Sequence, residues 1–259
     1  MEFFLFTTDL DLAIKAEKAS IDSVVVDWES RGKKLRQQGY NCEINADTAQ
    51  DVYNLSSALR IPVTVRLNSL CKQTPREVDL ALEKGSKILM LPMATNLNEI
   101  KEFMKLVDGR AKTIIQIETP SLVEEITGLN LLDWDYAYIG LNDLMVASGR
   151  HNIWEAIADG TAERICEKLR GRTYGFGGST IIGGGEPILN VLILHELIRL
   201  GGQMSIMRRT FKDEILDRDM TLEIDALRAF IACSGKRGKK AIEFDHDQLL
   251  RVIESTTKI

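Results

Sequence analysis

Short apolar runs rich in β-branched residues alternate along the chain with longer stretches of helical period. The runs Phe3–Thr7, Ser23–Asp27, Val63–Asn68, Lys87–Pro92, Thr113–Glu118, Tyr136–Gly140, Tyr174–Gly178 and Gln203–Arg208 predict eight strands. Between them the pattern predicts helices at Asp11–Ser20, Asp47–Arg60, Thr74–Lys84, Leu97–Val107, Ser121–Thr127, Ile153–Leu169, Pro187–Leu200 and Phe211–Cys233. Leu97, Ile100, Phe103, Met104 and Val107 share one face of a helix, and Asn96 with Glu99 supplies its start signal. The stretches VVV at 24–26 and ILML at 88–91 are apolar throughout, as strands covered on both faces are. Eight strands, each followed by a helix, predict an α/β fold, the closed (β/α)8 TIM barrel. An open doubly wound sheet is the alternative that periodicity leaves standing. Residues 1–233 are assigned to the barrel and 234–259 to a C-terminal extension. A helix is expected there near Asp247–Glu254, packed on its own barrel or on a neighbouring subunit.

Composition narrows the function classes. A length of 259 residues suits one such barrel, which typically takes about 250. A net charge of -5 and a single short basic stretch, KRGKK at 236–240, give no basic stripe for nucleic acid. Cys42, Cys71, Cys166 and Cys233 form no C-x-x-C pair, which fits a reducing compartment better than a disulfide framework or structural zinc. The N-terminus lacks a positive region before its apolar run, and no apolar stretch reaches the roughly 20 residues needed to cross a bilayer. A cytoplasmic protein without membrane or nucleic-acid partners is expected.

Catalytic groups of such barrels stand at the C-terminal strand ends. Here those ends read Asp27-Trp28-Glu29-Ser30, Arg66-Leu67-Asn68, Gln116-Ile117-Glu118-Thr119 and Gly140-Leu141-Asn142-Asp143. Glu118 and Asp143 end adjacent strands, and two carboxylates brought that close call for a proton or a cation between them. Oxygen donors without His or Cys suit Mg²⁺ or Mn²⁺. Equally, each carboxylate is placed to cap the helix that follows it.

Arg66 interrupts the apolar strand VTVRLN, where its guanidinium suits either a substrate acid or an ion pair with Glu29 or Glu118. Alternation puts Asp27 and Glu29 on one side of their strand, to orient a water or substrate or to satisfy basic neighbours. The Gly-rich stretch from Gly177 to Gly185 has no phosphate-binding spacing; it offers backbone amides to an anion or only tight turns. His151, His195 and His246 end no strand and show no ligand spacing, so the commonest general base is absent from the mouth.

Together the segments VVVDWES, IPVTVRLN, GSKILMLPMATNLNEI, IIQIETPSLVEEI, YIGLNDLMVASG and YGFGGSTIIGGGEP through RLGGQMSIMRRTF resemble the HpcH/HpaI aldolase and citrate lyase β-subunit family. They occur in the family's order over most of residues 1–211, and QIET with IGLND is nearer the metal-dependent pyruvate-aldolase branch. The resemblance implies a carbon–carbon lyase, a class II aldolase acting on a 2-oxo acid such as pyruvate and an aldehyde through a metal-stabilised enolate. It implies Glu118 and Asp143 as ligands of Mg²⁺ or Mn²⁺, Arg66 as partner of the bound acid, and Gln116, Gly140 and Asn142 as substrate-binding positions. Asp27 and Glu29 would join Arg66 in catalysis, and a homo-oligomer, a trimer or hexamer, is implied as well. One departure bears on mechanism: the aldolases carry D-G-E-H where this chain has Asp27-Trp28-Glu29-Ser30. Serine does not exchange protons near neutral pH unaided. The alternatives are therefore a citrate-lyase-like CoA-ester lyase or thioesterase, and a non-catalytic barrel that binds a small acid or a partner.

Overall fold

A computed structural model describes residues 1–31 and 47–257; Cys42 lies outside the described residues. Eight strands run in parallel: β1 (Glu2–Phe6), β2 (Ser23–Asp27), β3 (Val63–Arg66), β4 (Ile88–Leu91), β5 (Lys112–Ile117), β6 (Tyr136–Ile139), β7 (Thr173–Phe176) and β8 (Met204–Ile206). They follow chain order around the sheet from β1 to β7, with β8 hydrogen-bonded to the outer edge of β1. The last seam joins β7 to β8. There Gln203 N donates to Tyr174 O at 2.8 Å, Ser179 N to Ile206 O at 2.8 Å and Arg208 N to Ser179 O at 2.7 Å. Gly175 makes this approach possible, because a Cβ on it would stand 1.9 Å from the Met204 carbonyl oxygen. The (β/α)8 barrel expected from the alternating pattern is the fold observed.

Strand alternation divides the apolar side chains into two layers. Phe4, Val25, Met90, Ile114, Tyr136 and Met204 point inward and fill the barrel. Val24, Val26, Val65, Leu89, Ile115 and Ala137 point outward and are covered by the helices. The helix Leu97–Val107 matches its predicted bounds, with the Asn96 side chain accepting from the amides of Asn98 and Glu99.

Three departures have local causes. Gly160 (φ 76) divides the stretch predicted as one helix into Glu155–Ala158 and Thr161–Leu169, because its left-handed backbone cannot sit inside a helix. Asp219 caps Met220–Ser234 through the amides of Thr221 and Leu222, which separates that helix from Thr210–Glu214. An unpredicted helix, Leu141–Ala147, opens directly after β6.

The helix Lys239–Thr257 lies against the barrel's own helices, burying Leu249 and Ile253. His246 Nδ1 lies 3.0 Å from the buried carboxylate of Glu196, and Asn152 donates to Thr256 at 2.9 Å. His195 stacks on Phe230 with ring centroids 4.8 Å apart. Among the described residues no helix is long and apolar enough to cross a membrane.

Candidate active site

The strand ends open into a cavity of about 360 Å³ whose wall includes Asp27, Arg66, Gln116, Glu118, Gly140 and Asp143. Four segments therefore converge: β2 brings Asp27, β3 Arg66, β5 Gln116 with Glu118 just beyond its end, and the start of the helix after β6 Gly140 and Asp143. Asn142 also lines the cavity, from an exposed position at its lip.

Glu118 and Asp143 are both buried. Neither caps a helix. Thr119 is the N-cap of Pro120–Glu124, its hydroxyl accepting from Leu122 N, and Gly140 precedes Leu141–Ala147. Glu118 instead accepts from Met93 N at 2.8 Å, and Met93 takes a left-handed backbone (φ 57) that non-glycine residues seldom adopt. Burial, followed by the charges of Asp143 and Glu29, pushes the Glu118 carboxyl up to about 8, against a partial lowering by Arg66. Gln116 projects beside it, in register with Tyr138. Its side-chain Oε1 is buried and has no hydrogen-bond partner.

These groups fit a hard divalent cation. Two buried carboxylates repel until a positive charge separates them, and an unpartnered amide oxygen stands on the same wall. Among the described residues no group of three or more His, Cys, Asp or Glu is arranged for a metal, so softer, fully protein-enclosed ligation is not on offer.

Arg66 holds the opposite charge. Its Nε and Nη2 donate to the two Asp27 carboxylate oxygens, both at 2.8 Å, and its Nη1 lies 3.4 Å from Glu29. The guanidinium carbon sits 4.9 Å from the Phe6 ring centre. Burial acts to lower the Arg66 pKa, but the Asp27 hydrogen bonds and charge outweigh it and hold the group protonated. A guanidinium has five N–H groups and Asp27 occupies two, so donors remain on Nη1 and Nη2. Of the two ion-pair partners expected from sequence, Glu29 is in reach; Asp27, the stronger partner, follows from its register opposite Arg66.

Ser30 is turned away from the cavity. Ser30 N and Oγ contact Asn68 Oδ1 at 3.0 and 3.4 Å, and Ser30 is not on the cavity wall. Trp28 does not crowd the mouth: it packs against the outer apolar layer. The three histidines also lie off the cavity wall.

The Gly-rich stretch does not present a row of available amides. Gly178 N donates to Tyr138 OH at 3.1 Å, Gly184 N to Ile181 O at 3.0 Å and Gly185 N to Glu214 at 3.3 Å. Sequence reasoning passed over Arg208, Trp154 and Tyr138, all on the cavity wall. The inward alternation Met204, Ile206, Arg208, which carries on two residues past the end of β8, is the signal that would have found the arginine.

The fold resembles that of citrate synthase SbnG, with a TM-score of 0.57 and 16% identity over 90% of this chain and 92% of that one. It resembles equally a citrate lyase from Burkholderia xenovorans LB400, with a TM-score of 0.59 and 12% identity over 98% and 92%. The likeness is one of fold. No sequence-family model matches the chain, and no curated protein matches it in sequence.

Proposed function

We propose that the protein is a metal-dependent carbon–carbon lyase of the aldolase class, acting on a 2-oxo acid such as pyruvate. The observation that carries this reading is the buried pair Glu118 and Asp143 on one cavity wall with Gln116 and Arg66. In it Glu118 and Asp143 would be the residues that hold Mg²⁺ or Mn²⁺, oxygen donors of the kind such hard cations take. The bound cation would supply Lewis-acid stabilisation for the negative charge that develops on the keto oxygen.

The chain's own residues carry the rest. Arg66 receives the substrate carboxylate on its remaining N–H groups while Asp27 fixes its orientation. Gln116 meets the substrate or a cation-held water with the oxygen that lacks a protein partner. Asp27 is a cavity carboxylate outside the ligand pair, and the reading gives it the proton-handling role that Ser30 cannot fill. Gly140 and Asn142 shape the lip where the second substrate, an aldehyde, enters. Both solved structures named above carry citrate chemistry in their names, which supports lyase-type chemistry on a carboxylic acid. A homo-oligomer, trimer or hexamer, belongs to the same reading.

Calorimetric titration of Mn²⁺ into the wild type, Glu118→Gln and Asp143→Asn tests the metal site, and solvent deuterium entering the pyruvate methyl group tests enolisation. Equal affinity in all three proteins sinks the assignment. Binding without deuterium exchange leaves a ligand-binding barrel rather than an enzyme.

A further inference from the structure

Of the arginines that line the cavity, Arg66 and Arg208 are provided for in opposite ways. Arg66 carries its own counter-charges, with two hydrogen bonds to Asp27 and a 3.4 Å approach to Glu29. Arg208 is bound only by neutral groups. Its Nε donates to Gly178 O at 3.0 Å and its Nη1 to Ile188 O at 3.1 Å. Its Nη2 is buried and has no partner, and no carboxylate lies within ion-pair distance of it among the described residues. Glu214, the acid whose charge reaches it, is engaged by Thr180 and Gly185 N. Glu186 lines the cavity as well, and Arg209 and Lys212 add two cations to the same wall.

The fold makes a seat for this side chain. A Cβ on Gly178 would stand 3.0 Å from Arg208 Cγ, and one on Gly185 would stand 2.6 Å from Nη1. Both glycines have positive φ, so the stretch bends around the guanidinium where no larger residue fits. The other face of the guanidinium lies 5.2 Å from the Trp154 ring centre. Its place in the barrel is equally defined. In a closed ring of eight strands β8 stands opposite β4, and β4 is the strand between those of Arg66 and Glu118. A molecule held at Glu118 and Arg66 therefore points its far end towards Arg208.

We propose that Arg208 receives a second acidic group of the substrate, a carboxylate or a phosphate, so that the cavity selects dianions over 2-oxo acids with an apolar tail. The substrate class rests on the lyase reading above; the anion seat rests on the surroundings of Arg208 itself. A largely buried guanidinium without a carboxylate partner is destabilised, and burial draws the Arg208 pKa down to about 10, against opposing effects of Tyr138 and Glu214. An anion on Nη2 relieves that cost, and the planar fork suits both carboxylate and phosphate oxygens.

The test compares 2-oxoglutarate with 2-oxovalerate, which share a five-carbon chain and differ in the distal carboxylate. The phosphonate 2-oxo-4-phosphonobutanoate separates the phosphate source from the carboxylate one. Affinities are measured by calorimetry with Mg²⁺ present, on the wild type, Arg208→Gln and Arg208→Lys. We expect one of the two dianions to bind the wild type at least about tenfold more tightly than 2-oxovalerate, the discrimination of roughly one good charged hydrogen bond. Arg208→Gln should erase that preference and leave 2-oxovalerate affinity unchanged. Arg208→Lys, which keeps the charge without the fork, should retain part of it and serves if the glutamine variant does not fold. No preference in the wild type, or one that survives in Arg208→Gln, overturns the proposal. Inorganic phosphate titrated against Trp fluorescence, with Trp154→Phe as control, addresses the seat alone. If no 2-oxo acid binds, the lyase reading fails, and a saturable phosphate signal lost in Arg208→Gln still upholds the anion seat. Absence of that signal as well overturns both.

Discussion

A Cβ placed on Gly140 would stand 2.3 Å from Glu118 Oε2, so the glycine after β6 leaves the space in which the carboxylate after β5 is held. The atoms struck are the Glu118 carboxylate tip and, at 2.9 Å, its Cβ, which cannot move without the backbone of a buried residue. Gly140→Ala is therefore expected to displace Glu118 and to cost about 1–3 kcal/mol of stability, as in other overpacked interiors. Mn²⁺ affinity should fall at least about tenfold, a loss comparable to disturbing a group that orients a ligand. Paired calorimetric and melting measurements check this, and unchanged affinity would show that Glu118 tolerates the shift.

Metal-free stability should depend on pH through Glu118. Its folded-state pKa of about 8 is above the ordinary 4.5, because burial and the neighbouring carboxylates favour the neutral form. The stabilisation from this raised value is complete below 4.5 and is lost as pH rises through about 8. Metal ligation favours the ionised form instead, so the gain in melting temperature from Mn²⁺ should widen across that interval. Thermal melting with and without Mn²⁺ between about pH 5 and about pH 9 reads both slopes. A constant gain across the range contradicts the expectation.

Removing the guanidinium of Arg66 strands two buried carboxylates, Asp27 and Glu29. Arg66→Met should cost about 3–5 kcal/mol of folding stability, the usual effect of breaking a buried pair from one side. The double variant Arg66→Met with Asp27→Leu should recover part of that loss, since the carboxylate that the arginine neutralises most closely has gone. Urea denaturation of the four proteins in the cycle gives the coupling; additive effects would mean the pair acts independently.

At the β7–β8 seam the obstruction is backbone. Gly175→Ala would press a methyl group against the Met204 carbonyl oxygen, 1.9 Å away, and neither strand can yield without breaking its ladder. A loss of about 1–3 kcal/mol is expected, as for other overpacked interiors. Faster hydrogen exchange at the amides of Gln203 and Ser179, which bridge the seam, would locate the damage.

Most of the architecture was legible because strand and helix periods report burial directly. Ser23–Asp27 and Leu97–Val107 match their predicted bounds. What escaped depended on single backbone choices: the left-handed Gly160 and the Asp219 cap each divide a run whose hydrophobic pattern continues across the break. At the site, counting along strands brought Asp27, Arg66, Gln116 and Glu118 to one mouth. Pairing was harder to read. Whether Arg66 meets Glu29, Glu118 or Asp27 depends on register between β2 and β3, which no single strand contains. Arg208 lay hidden at the end of the predicted strand Gln203–Arg208, which was read for the fold and not for its polar end, although its alternation follows the rule that singled out Arg66.

The position of β8 also bears on how the protein comes into being. Residues 2–4 pair with residues 204–206, so the first strand made is completed by the last. A nascent chain that has not yet emitted β8 presents one edge of β1 without its partner, and Phe4 and Phe6 lack the wall that Met204 and Ile206 supply. Closing so long a loop costs entropy before any contact repays it, which places ring closure late in synthesis. Until then an open, apolar sheet edge is available to other chains, and the interval between making β7 and releasing β8 is the period in which this protein most needs protection from aggregation.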